Sequence, residues 1–393
     1  MALSFMQRKP DSGLGNIHAS PSAPGRNIDW VLMITQGALS VIGLLVIYSA
    51  SHSKSSAHGT HSYGYYFVTR QELFLIFAVL VMVLVMSFDY DWWKDRSRFL
   101  YGVALMLLVL VVMLGAVTGG ANLSFNIGPL NLQPAEFAKF ATLLTLAAYL
   151  AEDRSEDLPY HRFIIGLMLV GAPTVLIIAQ PDLGTASVLI AMAMGIMLVA
   201  GAKLRYILLI TVVSLATVGA AVATKIVNRY QLRRFTAFFH QNSNDPKLAD
   251  VLYQGRNAIR ALATGGIAGK GWLQGPITNA PKDIPVQWAD FPFSAVGEQF
   301  GLIGCAVIIG LYSLVLLRIW RIAHVSRDLL GTYLCAGVFA MVLWQVFQSI
   351  AMTIGIMPIT GLPLPFISYG GSGLVTFFAL IGLVQNVHMR RYR

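Results

Sequence analysis

The sequence predicts an all-α, polytopic membrane protein with about ten transmembrane helices, a large extracellular loop and a re-entrant segment rich in Pro and Gly. Its 393 residues are 56% hydrophobic and only 12% charged, with a mean hydropathy of +0.65. Soluble domains carry about 25% charged residues. Long apolar runs recur along the chain, and a bilayer core of ~30 Å needs roughly 20 apolar residues per helix.

The apolar runs define ten candidate spans. The fifth and sixth spans are separated only by Gln180, Pro181 and Asp182, where the Pro ends one helix and the Asp can cap the next. Residues 1–27 are polar and predict a flexible cytoplasmic tail. Residues 28–390 form one predicted membrane domain. The spans are 28–50, 71–88, 98–118, 134–151, 161–179, 183–201, 203–223, 292–318, 329–355 and 371–389.

The distribution of Lys and Arg predicts the orientation. With a cytoplasmic N-terminus, the inner segments hold sixteen Lys and Arg residues, whereas the short outer loops hold only Lys54 and Arg70. Both termini are therefore predicted to be cytoplasmic, and residues 224–291 form the large outer loop. The net charge of +10 is mostly this topology signal, which argues against a nucleic-acid partner.

One carboxylate, Asp290, lies among aromatic residues and prolines in residues 285–293, where the outer loop re-enters the membrane. Such an Asp is either a solvated cap of the next helix or a catalytic base held where water meets lipid. Glu298 follows about two helical turns later. The two carboxylates act either as acid and base or as a cap and a packing residue.

Two opposite charges open the fourth span. Glu136 and Lys139 are spaced i, i+3 and share a helix face. Charges inside a span are expensive and usually face the protein interior. The pair is either a structural ion pair or the wall of a polar cavity that binds an anionic or sugar headgroup.

Asp182 is first of all a helix cap; the alternative is that it is a ligand of a divalent cation at the same cavity.

The outer loop contains two further groups of candidates. Arg233 and Arg234 lie in a run of basic and aromatic residues, which predicts an interfacial segment that anchors the chain and attracts a phosphate group. Lys270 lies in the glycine-rich stretch 264–272, which lacks the spacing of a nucleotide-binding loop. We expect a tight supporting turn there, with Lys270 as a contact for a diphosphate.

The last loop, residues 357–373, contains three prolines and four glycines in an apolar context. Irregular backbone at membrane depth is tolerated only where it is buried in protein or lines a cavity. The loop is therefore predicted to be a re-entrant segment that forms one wall of a groove for a lipid substrate. Ser368 is its candidate binding residue.

Together these blocks resemble the shape, elongation, division and sporulation family of polytopic membrane proteins, and its rod-shape branch more than its division branch. The resemblance covers about residues 28–390. Gly269 and the three residues after it favour the rod-shape branch. The matching blocks are residues 133–139, 180–185, 265–275, 288–298 with 301–304, and 358–373.

The resemblance implies a peptidoglycan glycosyltransferase that polymerises lipid II into glycan strands at the outer face of the bacterial cytoplasmic membrane during cell elongation. The implied partner is a class B penicillin-binding protein, which cross-links the strands. The essential loop Asp of the family corresponds to Asp290, and its ion pair to Glu136 and Lys139. The chain differs from the family pattern at three positions, with Ala289 in place of Thr, Gln299 in place of an acidic residue and Thr353 in place of Asn.

An α-linked diphosphate donor and a β-1,4 product require inversion, so we expect Asp290 to act as the general base. Arg233, Arg234, Lys270 or a divalent cation (Mg²⁺ or Mn²⁺) would hold the diphosphate, and no organic cofactor is expected. The alternatives are a lipid II flippase and a non-catalytic scaffold of the cell-wall synthesis complex. The predicted substrate-binding set is Glu136, Lys139, Arg233, Arg234, Lys270, Glu298 and Ser368.

Overall fold

In the residues that it describes, the computed structural model has thirteen α-helices, a short 3₁₀ turn and three short strands. It describes residues 24–53, 63–114, 116–118, 121–127, 130–153, 157–223, 229–241, 243, 245–246, 248–280 and 284–392. Most of the predicted tail 1–27 lies outside this set. The helices are α1 Trp30–Ser51, α2 Tyr63–Ser87, α3 Tyr90–Leu114, α4 Pro134–Ala151, α5 Tyr160–Ala179, α6 Leu183–Val199, α7 Leu204–Ala223, α8 Arg229–Phe239, α9 Ala249–Gly265, α10 Gln287–Asp290, α11 Pro292–His324, α12 Leu329–Thr353 and α13 Gly371–Met389.

The helices confirm the polytopic helical class. Each of the ten predicted spans coincides with one helix. Within the described residues, seven helices are long and apolar enough to cross a membrane, namely α1, α2, α3, α5, α11, α12 and α13. Shorter apolar helices are α6 and the first part of α7, Leu204–Val213. We call the end of the molecule where α1 begins the N-terminal side and the opposite end, which carries α8 to α10, the loop side.

The third predicted span ends earlier than expected and is followed by strands. We predicted helix to residue 118, but α3 ends at Leu114 and β1 (Ala116–Thr118) follows. It pairs antiparallel with β2 (Ala121–Ile127), which pairs with β3 (Leu130–Leu132). The sequence between the paired Thr118 and Ala121 is Gly-Gly. Glycine is unfavourable within a helix and favours a two-residue hairpin turn, so the apolar run could not continue as helix.

The glycine-rich stretch after α9 fits into a kink of α11. Gly301 breaks the helix with φ 63° and ψ −157°, which frees backbone groups on either side. The N–H of Leu302 donates to the Gly266 carbonyl (2.9 Å), and the N–H of Lys270 donates to the Glu298 carbonyl (2.9 Å). A Cβ atom on Gly265 would collide with the Gly297 carbonyl. Close backbone approach therefore explains these glycines.

Residues 354–370, between α12 and α13, form the predicted re-entrant segment. The segment has no regular helix, and Phe366 and Ile367 are buried in the main core. The Tyr312 hydroxyl donates to the Pro365 carbonyl. Because Tyr312 is twenty residues into the 33-residue α11, this contact places the segment deep in the helix bundle. The Gln345 side-chain amide donates to the Pro363 carbonyl (2.8 Å).

Candidate active site

A cavity of about 300 Å³ opens between the re-entrant segment, α2, α4, α10, α12 and α13 on the loop side. This volume is at the lower end of the range for small-ligand sites. Its walls are partly the re-entrant segment and partly polar side chains from five helices. The polar lining residues are Arg70, Gln133, Glu136, Asp290, Gln345, Ser368, Tyr369 and Ser372.

Asp290 is the last residue of the short helix α10, directly before α11. The Trp288 carbonyl accepts a hydrogen bond from the N–H of Tyr369 (3.0 Å), which joins α10 to the re-entrant segment. The Gln287 side-chain amide donates to the Ser294 hydroxyl (2.9 Å) and so joins α10 to α11. Helix α10 is therefore held from two sides, and its last residue, Asp290, lies at the cavity that the re-entrant segment lines.

Burial raises the pKa of the Asp290 carboxyl above its ordinary value, and the Arg234 guanidinium opposes this rise. The direction is the one expected from the sequence, because desolvation disfavours the charged form of a carboxyl group. A carboxylate with a raised pKa is a stronger base than an ordinary Asp. The site thus supplies a base and an adjacent cation.

Arg234 lies in α8 and approaches Asp290 at Gly361. A Cβ atom built on Gly361 would lie 3.4 Å from Arg234 Nη1 and 3.7 Å from Asp290 Oδ1. Gly361 has φ +74°, a conformation that favours glycine. The outer loop and the re-entrant segment therefore bring this cation and this carboxylate to one point.

Arg70 lies at the site but was not among the predicted site residues. It was used only as one of the two basic residues in the short outer loops. It lies in α2 and lines the cavity. Its guanidinium carbon is 4.6 Å from the Tyr66 ring centroid, and Tyr369 of the re-entrant segment lines the same cavity. The only signal in the sequence was that Arg70 and Lys54 alone are basic in the short outer loops.

The predicted ion pair of α4 is present. Lys139 Nζ lies 2.8 Å from Glu136 Oε1, and both side chains are almost completely buried. Lys139 also donates to Gln345 Oε1 (3.4 Å), whose amide holds the re-entrant segment. Within the described residues, Glu136 Oε2 is buried without a hydrogen-bond partner. Glu136 lines the cavity, so the pair is both a structural link and part of the wall.

Ser368 lines the cavity and also shapes its wall. Its hydroxyl oxygen accepts from the N–H of Leu364 (2.7 Å), and its carbonyl accepts from the Gln71 side-chain amide (3.3 Å). Gln71 Oε1 in turn accepts from the N–H of Gly370 (3.2 Å). The buried Gln71, which the sequence reasoning did not select, therefore fixes this wall against α2.

Five of the seven predicted substrate-binding residues are not among the residues lining the cavity. Lys139 reaches the cavity only through its ion pair with Glu136, and Arg234 lies beside Asp290 at Gly361. The other three are Glu298, Lys270 and Arg233. Glu298 is buried in α11 and accepts hydrogen bonds from the backbone N–H groups of Ile277 (2.8 Å) and Thr278 (2.7 Å), so it holds the outer loop. The side chains of Lys270 and Arg233 are exposed. Of the predicted set, the structure therefore brings Asp290, Arg234, Glu136, Lys139 and Ser368 together.

Asp182 lies at the turn between α5 and α6 and caps α6. Its Oδ1 accepts from the N–H of Thr185 (2.9 Å) and its Oδ2 from the Gln133 amide (3.3 Å). In the part of the chain that the structure describes, no three His, Cys, Asp or Glu residues cluster as metal ligands. The metal role of Asp182 and the need for a divalent cation stay predictions.

The fold and the site define a polytopic membrane protein in which a carboxylate and one arginine line a cavity on the loop side, with a second arginine beside that carboxylate. The chain belongs to the cell cycle protein family of FtsW, RodA and SpoVE, whose family model matches residues 29–393. The resemblance found in the sequence is thereby confirmed at the level of the family.

Relatives from different branches are about equally similar to the chain. Stage V sporulation protein E of Bacillus subtilis is 32% identical and aligns over 91% of this chain and 96% of its own length. Peptidoglycan glycosyltransferase RodA of Treponema pallidum is 29% identical over 93% of this chain and 98% of its own. These values define the family, and assignment to the rod-shape branch rests on the glycine-rich block at Gly269.

Solved structures share the fold over nearly the whole chain. A chain from a study of the structural coordination of polymerization and crosslinking by a peptidoglycan synthase complex matches with a TM-score of 0.75 at 27% identity, covering 93% of this chain and 99% of that one. The rod shape determining protein RodA of Thermus thermophilus matches with a TM-score of 0.69 at 26% identity, covering 93% and 98%.

Proposed function

We propose that this chain is a peptidoglycan glycosyltransferase that polymerises lipid II into β-1,4 glycan strands. The carrying observation is the Asp290 carboxylate, which lines a cavity beside Arg234 near the membrane surface. The name of the Treponema pallidum relative, a peptidoglycan glycosyltransferase, supports the same activity. The positive-inside distribution of Lys and Arg supports placing this cavity at the outer face of the cytoplasmic membrane, with both termini inside.

In this mechanism Asp290 takes the proton of the acceptor sugar hydroxyl. The hydroxyl oxygen forms a bond to the anomeric carbon of the donor, and the bond from that carbon to the diphosphate breaks on the opposite face. Configuration is therefore inverted. Arg234 and Arg70 stabilise the departing diphosphate, since arginine binds phosphate oxygens through paired donors. General base catalysis contributes about 10²–10⁴-fold, with positioning and charge stabilisation adding to it.

The other polar groups position this machinery. The Glu136–Lys139 pair and Gln345 hold the re-entrant segment in place, and Glu136 Oε2 offers an acceptor to a hydroxyl or amide of the substrate. A cavity of about 300 Å³ suits the reacting sugar and its diphosphate, while the polyprenyl chain lies along the apolar helix surfaces. We also propose a class B penicillin-binding protein as partner, supported by the match to a chain of a peptidoglycan synthase complex.

The first prediction is loss of polymerisation in Asp290→Asn. The amide has nearly the same shape but cannot accept the proton, so we expect the rate to fall by roughly 10²–10⁴-fold. The measurement is glycan formation from labelled lipid II by purified protein, with and without its class B partner. Asp250→Asn is the matched control, because Asp250 is an exposed carboxylate in the same outer loop.

Glycan formation by folded Asp290→Asn at the rate of the wild type would contradict the assignment of the base. A wild type that makes no glycan even with the partner, but transfers lipid II between leaflets, would support the flippase. Loss of both activities, with the partner still recruited, would support the scaffold.

A further inference from the structure

A second polar cavity, of about 500 Å³, lies at the opposite end of the bundle from Asp290. It is formed by the N-terminal-side ends of α3, α4 and α5. None of its lining residues lines the cavity at Asp290, so it belongs to no step of the proposed glycosyl transfer. Charged side chains make up one part of its lining, and apolar side chains of α5 make up another.

The charged part contains two cations and two carboxylates, Lys94, Arg98, Asp95 and Glu152. Lys94 and Arg98 are four residues apart and therefore share one face of α3. Arg98 Nη2 and Glu152 Oε1 are 3.7 Å apart, with the side chains 88% and 44% exposed. Such an exposed and distant pair contributes little to stability, so both groups are available to exchange partners with a ligand.

The apolar part continues onto the surface that faces the membrane. Leu169 and Ile165 of α5 line the cavity, and the Tyr101 hydroxyl donates to the Leu169 carbonyl (2.7 Å), which joins α3 to α5. Ile165 and the neighbouring Met168 are exposed. A molecule with its charged head in the cavity can therefore lay an apolar chain against these helices.

We propose that this cavity binds the phosphoethanolamine headgroup of a membrane lipid. The phosphate lies against Lys94 and Arg98, and the ammonium lies against Asp95 and Glu152. Basic pockets between membrane helices bind lipid phosphates, but here the balanced charge also requires a cationic group in the ligand. A primary ammonium donates three hydrogen bonds to carboxylates. A choline headgroup has no N–H to donate, and a glycerol headgroup brings no cation.

The test measures lipid preference rather than stability. Purified full-length protein, stripped of lipid in detergent, is titrated with dioleoyl phosphatidylethanolamine, phosphatidylglycerol or phosphatidylcholine, and bound lipid is counted by native mass spectrometry. We expect the ethanolamine lipid to bind best. Glu152→Gln removes an ammonium acceptor and releases Arg98, so its preference should shift towards phosphatidylglycerol by roughly two- to fivefold.

Two variants complete the test. Lys94→Gln should weaken binding of the ethanolamine and glycerol lipids alike, because both carry the phosphate. Asp157→Asn, which alters an exposed carboxylate paired with Lys203 on the same side, should leave the preference unchanged. Equal binding of the three lipids, or an unaltered preference in Glu152→Gln, would overturn the proposal. Displacement of the lipid by inorganic phosphate alone would assign the cavity to a free anion instead.

Discussion

At the scale of single residues, the surroundings of Asp290 decide its chemistry. An Asp in water is a weak base, with a pKa of about 3.9. Here burial raises the pKa of the Asp290 carboxyl, while the Arg234 guanidinium partly opposes the rise. Removing Arg234 therefore has two separable effects, one on the binding of the diphosphate and one on the titration of the base.

We expect the activity to depend on pH through Asp290. The base works only when deprotonated, so activity is lost as the pH falls through its raised pKa, at a higher pH than for an ordinary Asp. Arg234→Gln removes the cation that lowers this pKa and should move the acidic limb of kcat/KM to still higher pH. Initial rates measured between about pH 4 and pH 8 test this.

Arg260→Gln is the matched control for Arg234→Gln, since Arg260 is exposed on α9 in the same outer loop. It should leave the position of the acidic limb unchanged. An acidic limb that stays in place in Arg234→Gln as well would show that another group, rather than Asp290, controls the pH dependence.

At the scale of elements, the kink of α11 supports the outer loop that ends at Asp290. Gly301 has a positive φ, and the space beside it is filled by the backbone of Ile267 and Gly269. Backbone groups freed by the kink are satisfied by the glycine-rich stretch after α9. The two elements therefore form one unit, because backbone N–H and C=O groups of each are hydrogen-bonded by the other.

Gly301→Ala should destabilise the protein by at least about 2 kcal/mol, because it combines an unfavourable φ with a steric clash. Gly310→Ala is the control on the same helix, where an added Cβ meets no atom within 4 Å. It should be neutral or stabilising by up to about 1 kcal/mol. Thermal unfolding in detergent distinguishes the two variants, and equal melting temperatures would contradict this account of the kink.

The ion pair of α4 gives a second prediction at this scale. Lys139→Met leaves the Glu136 carboxylate buried without its cation, which costs about 3–5 kcal/mol in comparable cases. The double variant Glu136→Gln with Lys139→Met removes both charges and should recover much of that stability. Unfolding of the single and double variants tests the coupling. A double variant as unstable as the single one would show that the charge pair is not the source of the loss.

At the scale of the whole molecule, hydrogen bonds and an ion pair at the N-terminal side join helices that are distant from one another in sequence. The buried Asp29 accepts from Arg318 Nε of α11 (2.9 Å), and its N–H donates to Gln385 Oε1 of α13 (3.0 Å). The Asp29 carboxylate also accepts from the N–H of Leu32 (3.0 Å) and so caps α1. One residue therefore joins three helices at the end opposite the candidate active site.

Arg318→Ala should lower global stability without changing substrate affinity. The buried Asp29 would lose its cation, at a cost of about 3–5 kcal/mol, whereas the cavity at Asp290 lies at the other end of the helices. Melting temperature should fall while KM for lipid II stays constant. Arg321→Ala, an exposed arginine one turn further along α11, is the control. A raised KM in Arg318→Ala would show that the two ends are coupled.

The sequence by itself determined the helical class, a helix at each of the ten predicted spans, the re-entrant segment, and the positions of Asp290 and of the Glu136–Lys139 pair near the polar cavity. Apolar runs, and isolated charges within them, can be recognised in a short stretch of sequence. The reason is that the cost of exposing a polar group to lipid depends on that residue and not on distant contacts. The end of α3 was not predicted, because hydropathy alone does not distinguish an apolar helix from an apolar strand and β1 continues the apolar run.

Only the tertiary structure decided which polar residues meet. Arg70 and Gln71 come from α2, Arg234 from α8 and Gln345 from α12, and they converge on the re-entrant segment. Glu298 instead holds the outer loop through backbone hydrogen bonds. Contacts between segments distant in sequence depend on the packing of whole helices, which no local pattern of residues encodes.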